Sequence, residues 1–350
     1  MREAIKYGAL SGEVTMARLT LEDVGALAGV SRSTVSRVIN NEPNVRPEVK
    51  AKVESVIRST GYVPNAAARS LVSNRTGVIG LVIPSHVSNL FEDPYFARLI
   101  QGVTLGAKRV STTLSLFLFE SENEERELYP RVVESGFLDG VIVTATRAGN
   151  VLMNRIAQAK MPLVAIGRPG IEGIPYVDVD SRGGAFEAAK YLCSQGYERI
   201  SFIGGPTDTS TGEDRYSGFV DGLAEWNVAL PTRLRAFGDY SEPSGYEAMS
   251  QLIVHKPDAV FAASDGMALG AMRCLQDAGL SIPDDVAVIG FDGFSPGAAS
   301  SPSLTTIQQP VAETGSRAVQ MLHDLLTDLT SPPDSDRKST RLNSSHLVIS

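Results

Sequence analysis

Between residues 77 and 292 the chain alternates two kinds of stretch. Short, almost uninterrupted apolar runs recur: GVIGLVIP at 77–84, TLSLFLF at 113–119, GVIVTA at 140–145, PLVAIG at 162–167, RISFIG at 199–204, AVFAAS at 259–264 and VAVIGFD at 286–292. Between them lie longer stretches whose apolar residues follow a helical period, over 95–109, 123–135, 151–158, 183–195, 214–226, 244–254 and 266–278. Continuous apolar strands between amphipathic helices predict parallel sheets covered on both faces. The pattern restarts after residue 167, so two sheets are expected, with crossovers near 177–181 and 293–306. Open α/β sheets bind ligands beyond the C-terminal ends of their strands, which here places a site between two lobes.

The pattern upstream is different. Residues 20–40, TLEDVGALAGVSRSTVSRVIN, read as two short helices joined by a turn at Gly29. Thr20 is a good N-cap with Asp23 as its capping-box partner, and Leu21, Val24, Leu27 and Ala28 form an apolar stripe. Ser31 caps the second helix, whose Val35, Val38 and Ile39 face inward and whose Arg32, Ser33, Thr34, Ser36 and Arg37 form the polar side. A third helix fits residues 47–60, with Pro47 in its first turn and Gly61 as its stop. The second helix of such a pair is the one that reads a DNA major groove. Arginine bonds two acceptors on guanine, and Ser and Thr reach phosphates or base edges. From periodicity alone, the competing reading is a plain helical subdomain whose charges are its solvated face.

Charge separates the two regions. The chain of 350 residues has a net charge of −8, yet residues 16–76 hold nine Lys/Arg against five acids and are positive. The first 15 residues are neutral, so the acidity lies beyond residue 76. A basic head on an acidic body fits a nucleic-acid partner for the head alone.

Residues 63–76 link the two. Pro64 ends an extended segment, and Asn65 is placed to cap a short helix through AAARSLVS. Its alanines, Ala68 among them, make a face smooth enough to approach a groove wall, and Leu71 is an apolar wedge of the kind that enters the minor groove. The alternative is that Leu71 packs on the core. A helix this short is unstable alone and needs DNA or a second copy to hold it.

TLEDVGALAGVSRSTVSRVIN together with YVPNAAARSLVSNRTGVIGLV resembles the lactose-repressor family of bacterial transcription regulators, over about residues 19–330. The resemblance implies an all-α helix-turn-helix head followed by a two-lobed α/β core like the type I periplasmic binding proteins. It divides the chain into an extension at 1–18, the head at 19–62, the hinge at 63–76, an effector-binding and dimerising core at 77–330 and a tail at 331–350. It further implies a homodimer on a near-palindromic DNA operator, and a repressor controlled by a small effector, a sugar or sugar derivative. The residues expected at DNA are Thr20, Ser31, Arg32, Ser33, Thr34, Ser36, Arg37, Asn40, Asn65, Ala68 and Leu71. In the family, the positions of Arg215, Ser264 and Asp292 face the effector, and an aromatic near Phe96 packs on it. Two departures stand out. Ser264 stands where the family commonly has Asn, and Arg46 stands where a capping residue is common.

The residues themselves support the effector set. Asp292 ends a strand and can accept a pair of ligand hydroxyls. Arg215 is expected at the start of a helix, able to donate in fork geometry. Ser264 and Asp265 close a strand, with Asp265 read mainly as the N-cap of the next helix. Tyr95 and Phe96 offer rings for stacking on a sugar face, or simply pack the lobe. Gly167, Arg168 and Asp180 are weaker candidates.

Other classes fit poorly. His86, His255 and His323 are scattered, and no zinc, phosphate-loop or nucleophile-elbow motif is present, so no catalysis, metal or cofactor is expected. Two cysteines, Cys193 and Cys274, suit a reducing cytoplasm. No apolar run is long enough for a membrane span, and the N-terminus lacks a signal-peptide pattern. A free sugar-binding protein of an uptake system is the rival, which the basic head and missing signal oppose. A purine- or nucleoside-responsive regulator of the same fold stays open. Two terminal readings concern the chain itself. Met16 is an alternative start, and DRKSTRLNSSH at 336–346 looks like a translated sequencing adapter, so residues from about 336 are expected to be non-native. The family's usual C-terminal ending is missing there, which bears on the stability of the second lobe.

Overall fold

The structure, a computed structural model, describes residues 19–39, 42–62, 75–84, 93–119, 121–144, 151–327, 340–342 and 346–348. By its internal contacts the chain divides after Thr76 into two units. Asn40, Asn65, Ala68, Leu71 and most of the expected hinge lie outside the described residues.

The first unit contains α1 (Leu21–Ala28), α2 (Arg32–Ile39) and α3 (Pro47–Thr60). Its core is Val24, Ala28, Val35, Val38, Val53 and Tyr62. Gly29 ends α1 with φ 65°, a left-handed conformation that glycine adopts without a Cβ penalty. Leu27 departs from the expected stripe and is 58% exposed. The buried stripe of α1 is Val24, Gly25 and Ala28, and at helical spacing Leu27 lies about 100° round from its centre.

The second unit holds two sheets of the same design. Strands β1 (Val78–Pro84), β2 (Thr113–Phe119), β3 (Gly140–Thr144), β4 (Leu163–Ile166) and β5 (Tyr176–Val179) lie in the order β5-β4-β3-β1-β2, all parallel. Their intervening helices are α4 (Pro94–Arg109), α5 (Glu122–Tyr129) and α6 (Val151–Gln158). The chain then enters α7 (Ser181–Ser194) and the second lobe. Strands β6 (Ile200–Gly204), β7 (Arg235–Phe237), β8 (Ala259–Ala262), β9 (Ala287–Asp292) and β10 (Thr305–Gln308) repeat the pattern as β10-β9-β8-β6-β7. Helices α8 (Ser210–Ala224), α9 (Glu242–Leu252), α10 (Asp265–Asp277) and the short α11 (Ser295–Ala298) lie between these strands. Finally α12 (Val311–Thr327) returns and packs in the core of the first lobe with Leu99 and Val103 of α4.

In each sheet the order reverses direction beside the first strand, β1 in one and β6 in the other. Such a switch point opens a crevice at the strand C-termini. Fully buried strands such as β3, β8 and β9 carry the continuous apolar runs seen in the sequence.

Several boundaries differ from expectation. The first crossover is confined to Asp180, because residues 176–179 are a strand of the first sheet. The second lies at Gln309–Pro310 and not at 293–306, because Thr305–Gln308 still pairs with β9, Gln308 opposite Asp292. A four-residue strand with two threonines carried too little apolar signal to be seen. The helix expected over 123–135 changes at Pro130 into a single π turn, Pro130–Glu134, since proline supplies no amide hydrogen to the helix ladder. Helix α8 begins four residues early because Thr209 caps it, its hydroxyl accepting from the Gly212 amide at 3.1 Å. The tail residues also take part: β11 (Thr340–Leu342) runs parallel to β5, and β12 (His346–Val348) runs antiparallel to β10. Among the described residues no helix is long and apolar enough to cross a membrane.

Helix pairs in both lobes cross closely through glycine. A Cβ at Gly102 of α4 would lie 2.0 Å from the Ala312 carbonyl oxygen of α12, and one at Gly218 of α8 would lie 2.0 Å from that of Arg182 in α7. Gly102→Val should therefore lower stability by about 1–3 kcal/mol or more, because backbone must move to admit it. Urea unfolding measures this, and an unchanged midpoint would refute the close crossing.

Candidate functional site

In the head, the two-helix corner is set by local bonds. The Asp23 amide donates to Thr20 Oγ1 at 3.3 Å, and Thr20 returns its amide to Asp23 Oδ2 at 2.8 Å, the reciprocal capping box. The bond from the Thr20 backbone holds the Asp23 carboxyl below its ordinary range. Gly25 packs under the turn, where a Cβ would stand 2.9 Å from the Val30 oxygen. Ser31 Oγ accepts the Thr34 amide at 3.2 Å and so caps α2. Ser31 Oγ also lies 2.8 Å from Ser33 Oγ and 2.9 Å from Thr34 Oγ1.

With Val35 and Val38 buried, α2 turns Arg32, Ser33 and Arg37 outward, with Thr34 and Ser36 half-buried beside them. Sequence reasoning missed their acidic neighbours. Arg32 Nη1 lies 3.0 Å from Glu22, and Arg37 Nε lies 3.8 Å from Glu42. Both pairs are largely exposed and worth little in water, so they yield readily to a phosphate or a base. Arg46 precedes α3 with no side-chain capping bond, as its identity implied.

In the core, one cavity of about 150 Å³ lies where the C-terminal ends of both sheets meet. That is room for a small organic molecule, at roughly 10–15 Å³ per water on this measure. All five expected effector residues line it. Tyr95 and Phe96 come from the first turn of α4, with ring centres 5.4 Å apart and edge to face. Burial pushes the Tyr95 hydroxyl up to about 12. Arg215 comes from the second turn of α8 and not from its start, a consequence of the earlier cap.

Arg215 is buried, and its neighbours fix it. Its Nη1 donates to the Ala263 carbonyl, its Nη2 lies 3.8 Å from Asp292 Oδ1, and its guanidinium stacks 3.9 Å over the Phe291 ring. Its Nε is buried without a partner. Asp292 accepts from Gln309 Nε2 and, at 3.2 Å, from the Asp265 amide. Burial pushes the Asp292 carboxyl well up, against the pull of Arg215. Its backbone φ of 139° is unusual for a residue other than glycine, a strain that marks functional positions.

Ser264 lines the cavity as expected and also takes the capping role read for Asp265. Ser264 is the N-cap of α10, accepting the Met267 amide at 3.1 Å and donating to the Tyr240 carbonyl at 3.1 Å. Asp265 does not cap. Its carboxylate accepts from the Phe294 amide at 2.7 Å and from Thr306 Oγ1 at 2.5 Å. Burial pushes that carboxyl up.

Of the weaker candidates, Gly167 lines the cavity. Asp180 instead caps α7, accepting from the Gly183 amide at 3.0 Å. Arg168 joins the lobes: its Nη2 lies 2.8 Å from Asp214 Oδ1 of α8, and its carbonyl accepts from Ser210 Oγ at 3.1 Å.

The sequence reading missed Asp93, Asp178, Tyr240 and Gln309, all of which line the cavity. Asp93 was legible as a residue before Pro94, since Asx followed by proline marks a helix start. Its Oδ1 accepts the Tyr95 amide at 2.9 Å. Tyr240 and Gln309 carried no local signal, because each follows a strand too short to be recognised.

Comparison with known proteins agrees with this architecture. Residues 20–65 match the model for bacterial regulatory proteins of the lacI family, and residues 189–344 match a periplasmic binding protein-like domain. The chain is 36% identical over 321 residues to the HTH-type transcriptional regulator CelR of Thermobifida fusca, covering 90% of this chain and 94% of that protein. It is 34% identical over 310 residues to the HTH-type transcriptional repressor PurR of Photorhabdus laumondii, covering 87% and 89%. A solved CelR–cellobiose complex superposes with a TM-score of 0.71 at 34% identity, over 93% of this chain and 97% of that one. An operator-bound lac repressor dimer shares the fold with a TM-score of 0.76 at 23% identity, over 90% and 94%.

The Arg168–Asp214 contact makes a direct prediction. A double-mutant cycle of Arg168→Ala and Asp214→Ala should give a coupling of about 1 kcal/mol at low salt, weaker at high salt. Denaturant unfolding of the four proteins reads it, and strictly additive effects would show that the pair holds nothing.

Proposed function

The chain belongs to the lacI family of bacterial regulatory proteins, sequence-specific DNA-binding regulators of transcription and not enzymes, and from that premise we propose a homodimeric repressor whose operator affinity is set by a sugar held in the core cavity. The observation that carries this reading is the convergence of Arg215, Asp292 and the Tyr95–Phe96 rings on one cavity between two lobes. Carboxylates accept hydroxyl hydrogens, a guanidinium donates to hydroxyl oxygens, and aromatic rings cover the apolar C–H faces of a sugar. A sugar presents hydroxyls all round its rim, whereas a purine base concentrates its polar groups on its edges. The abundance of carboxylate acceptors favours the sugar. The cellobiose complex of a relative sharing a third of its residues supports the same class.

In this reading the head at 19–62 contacts DNA through Thr20, Ser31, Arg32, Ser33, Thr34, Ser36, Arg37 and Asn40. The hinge at 63–76 contributes Asn65, Ala68 and Leu71 in the minor groove. Arg32 and Ser33, at the start of α2, carry the base preference. Two heads on one dimer match a near-palindromic operator. The core at 77–330 binds the effector through Tyr95, Phe96, Arg215, Ser264 and Asp292. Sugar binding shifts the population between two lobe arrangements, and the hinges gain or lose their groove accordingly.

Mobility shift with the adjacent intergenic DNA and a panel of sugars and purines tests this. The protein should retard that DNA, and one sugar should release it. No retardation with any neighbouring promoter would overturn the regulator reading of the head, and release by a purine alone would overturn the sugar. Arg32→Ala should cost about 1–3 kcal/mol of operator affinity and relax preference at one base pair. Asp292→Asn should keep operator binding while weakening the sugar response at least about tenfold. A variant that responds like wild type would remove Asp292 from the site.

A further inference from the structure

Resting on the reading of the cavity as the effector site, we propose that this site is built to accept uncharged ligands and reject anions, with Asp93 as the residue that sets the preference.

Among the described residues, each positive feature around the cavity already has an acid of its own. The N-terminus of α4, a 16-residue helix, faces the cavity through Tyr95 and Phe96. Such an end ordinarily attracts a phosphate or carboxylate group. Here Asp93 occupies it, accepting the Tyr95 amide. The first turn of α10 is met in the same way by Asp292, which accepts the Asp265 amide. The first turn of α8 carries Glu213, and Asp214 follows it. Arg215, the one guanidinium lining the cavity among the described residues, is held by Ala263 and Asp292 and leaves its buried Nε without a partner. Arg168, just outside, is engaged by Asp214.

Among the described residues, three carboxylates therefore line the cavity against one guanidinium: Asp93, Asp178 and Asp292 against Arg215. Burial pushes the Asp93 carboxyl up as well as that of Asp292, yet acids still outnumber the cation in this lining. A phosphate ester would bring negative charge into a partly desolvated, already acidic space, and among the described residues no uncommitted cation meets it. Hydroxyl groups meet the opposite situation, since ionised carboxylate oxygens are acceptors only and hydroxyls supply the donors they take. Like charges brought together at a site of this kind discriminate strongly between ligands of similar shape.

Asp93 is the residue whose charge can be removed with least structural cost. Asparagine caps helices as well as aspartate does, so Asp93→Asn keeps the bond to the Tyr95 amide while exposing the positive end of α4. Asp178 and Asp292 are more deeply buried and bonded to backbone on their own strands or neighbours.

Calorimetry on the full-length protein tests this with matched pairs: cellobiose against cellobiose 6-phosphate, and adenosine against adenosine 5′-monophosphate. Wild type should bind the neutral member of whichever pair it recognises on the order of 100-fold more tightly. Asp93→Asn should narrow that ratio by about tenfold, with its thermal midpoint close to wild type as evidence that the cap survives. A phosphorylated member bound as tightly as its neutral partner, or a ratio unmoved in Asp93→Asn, overturns the proposal. Preference for adenosine over both sugars overturns the sugar reading alone, because the charge preference is then read from the nucleoside pair. An inorganic phosphate titration completes the experiment: phosphate should stabilise Asp93→Asn more than wild type, and equal stabilisation of the two counts against the assignment.

Discussion

A buried guanidinium must be answered on every side, and Arg215 organises the core cavity for that reason. Its side chain is 5% exposed, where an unpaired charge is very costly. The Ala263 carbonyl, the Phe291 ring and the Asp292 carboxylate meet it from the ends of β8 and β9. Asp292 in turn needs donors, and takes them from the Asp265 amide and from Gln309 at the crossover back to the first lobe. A buried ion pair adds little net stability, since desolvation offsets its attraction. Its effect here is positional: it ties the ends of two strands and one crossover to a single geometry, and leaves Nε buried without an acceptor.

The same economy of contacts joins the two lobes. Asp265 bonds the Phe294 amide and Thr306, while the Phe294 ring packs in the core of the first lobe with Leu99 and Val311. Arg168 and Asp214 bridge the opposite rim beside Gly167 and Arg215, which line the cavity. A ligand that changes the spacing of the lobes therefore acts on a few identifiable contacts. Packed interfaces of this kind favour discrete arrangements over continuous bending, which is what a switch requires.

The head shows the reverse distribution. Its core is a handful of valines with Ala28 and Tyr62, while Arg32, Ser33 and Arg37 face outward with only exposed acidic neighbours. Weakly held cations on a rigidly capped helix are ready to change partners at low cost. The capping box, the Gly29 turn and the Ser31 cap supply that rigidity from residues adjacent in sequence.

That locality explains what could be read in advance. Caps, turns and continuous apolar strands depend on neighbours a few residues away, so the three helices of the head, most strands of both sheets and the family resemblance were legible in the chain itself. Strand ends and the helix turns that follow them were legible too, and Tyr95, Phe96, Arg215, Ser264 and Asp292 all line the one cavity described. Short strands were not: β5, β7 and β10 owe their existence to neighbours in the sheet, and Tyr240 and Gln309 follow from them. Nor was the role of Asp265, whose carboxylate partners Phe294 and Thr306 lie 29 and 41 positions away. The sequence by itself determined the two-part design, the capped second helix with its polar side and the polar residues near strand ends, because those are set by period and by local bonding. Only the tertiary structure decided which carboxylates face which helix ends and how Arg215 is answered, because those contacts join strands that sequence keeps far apart.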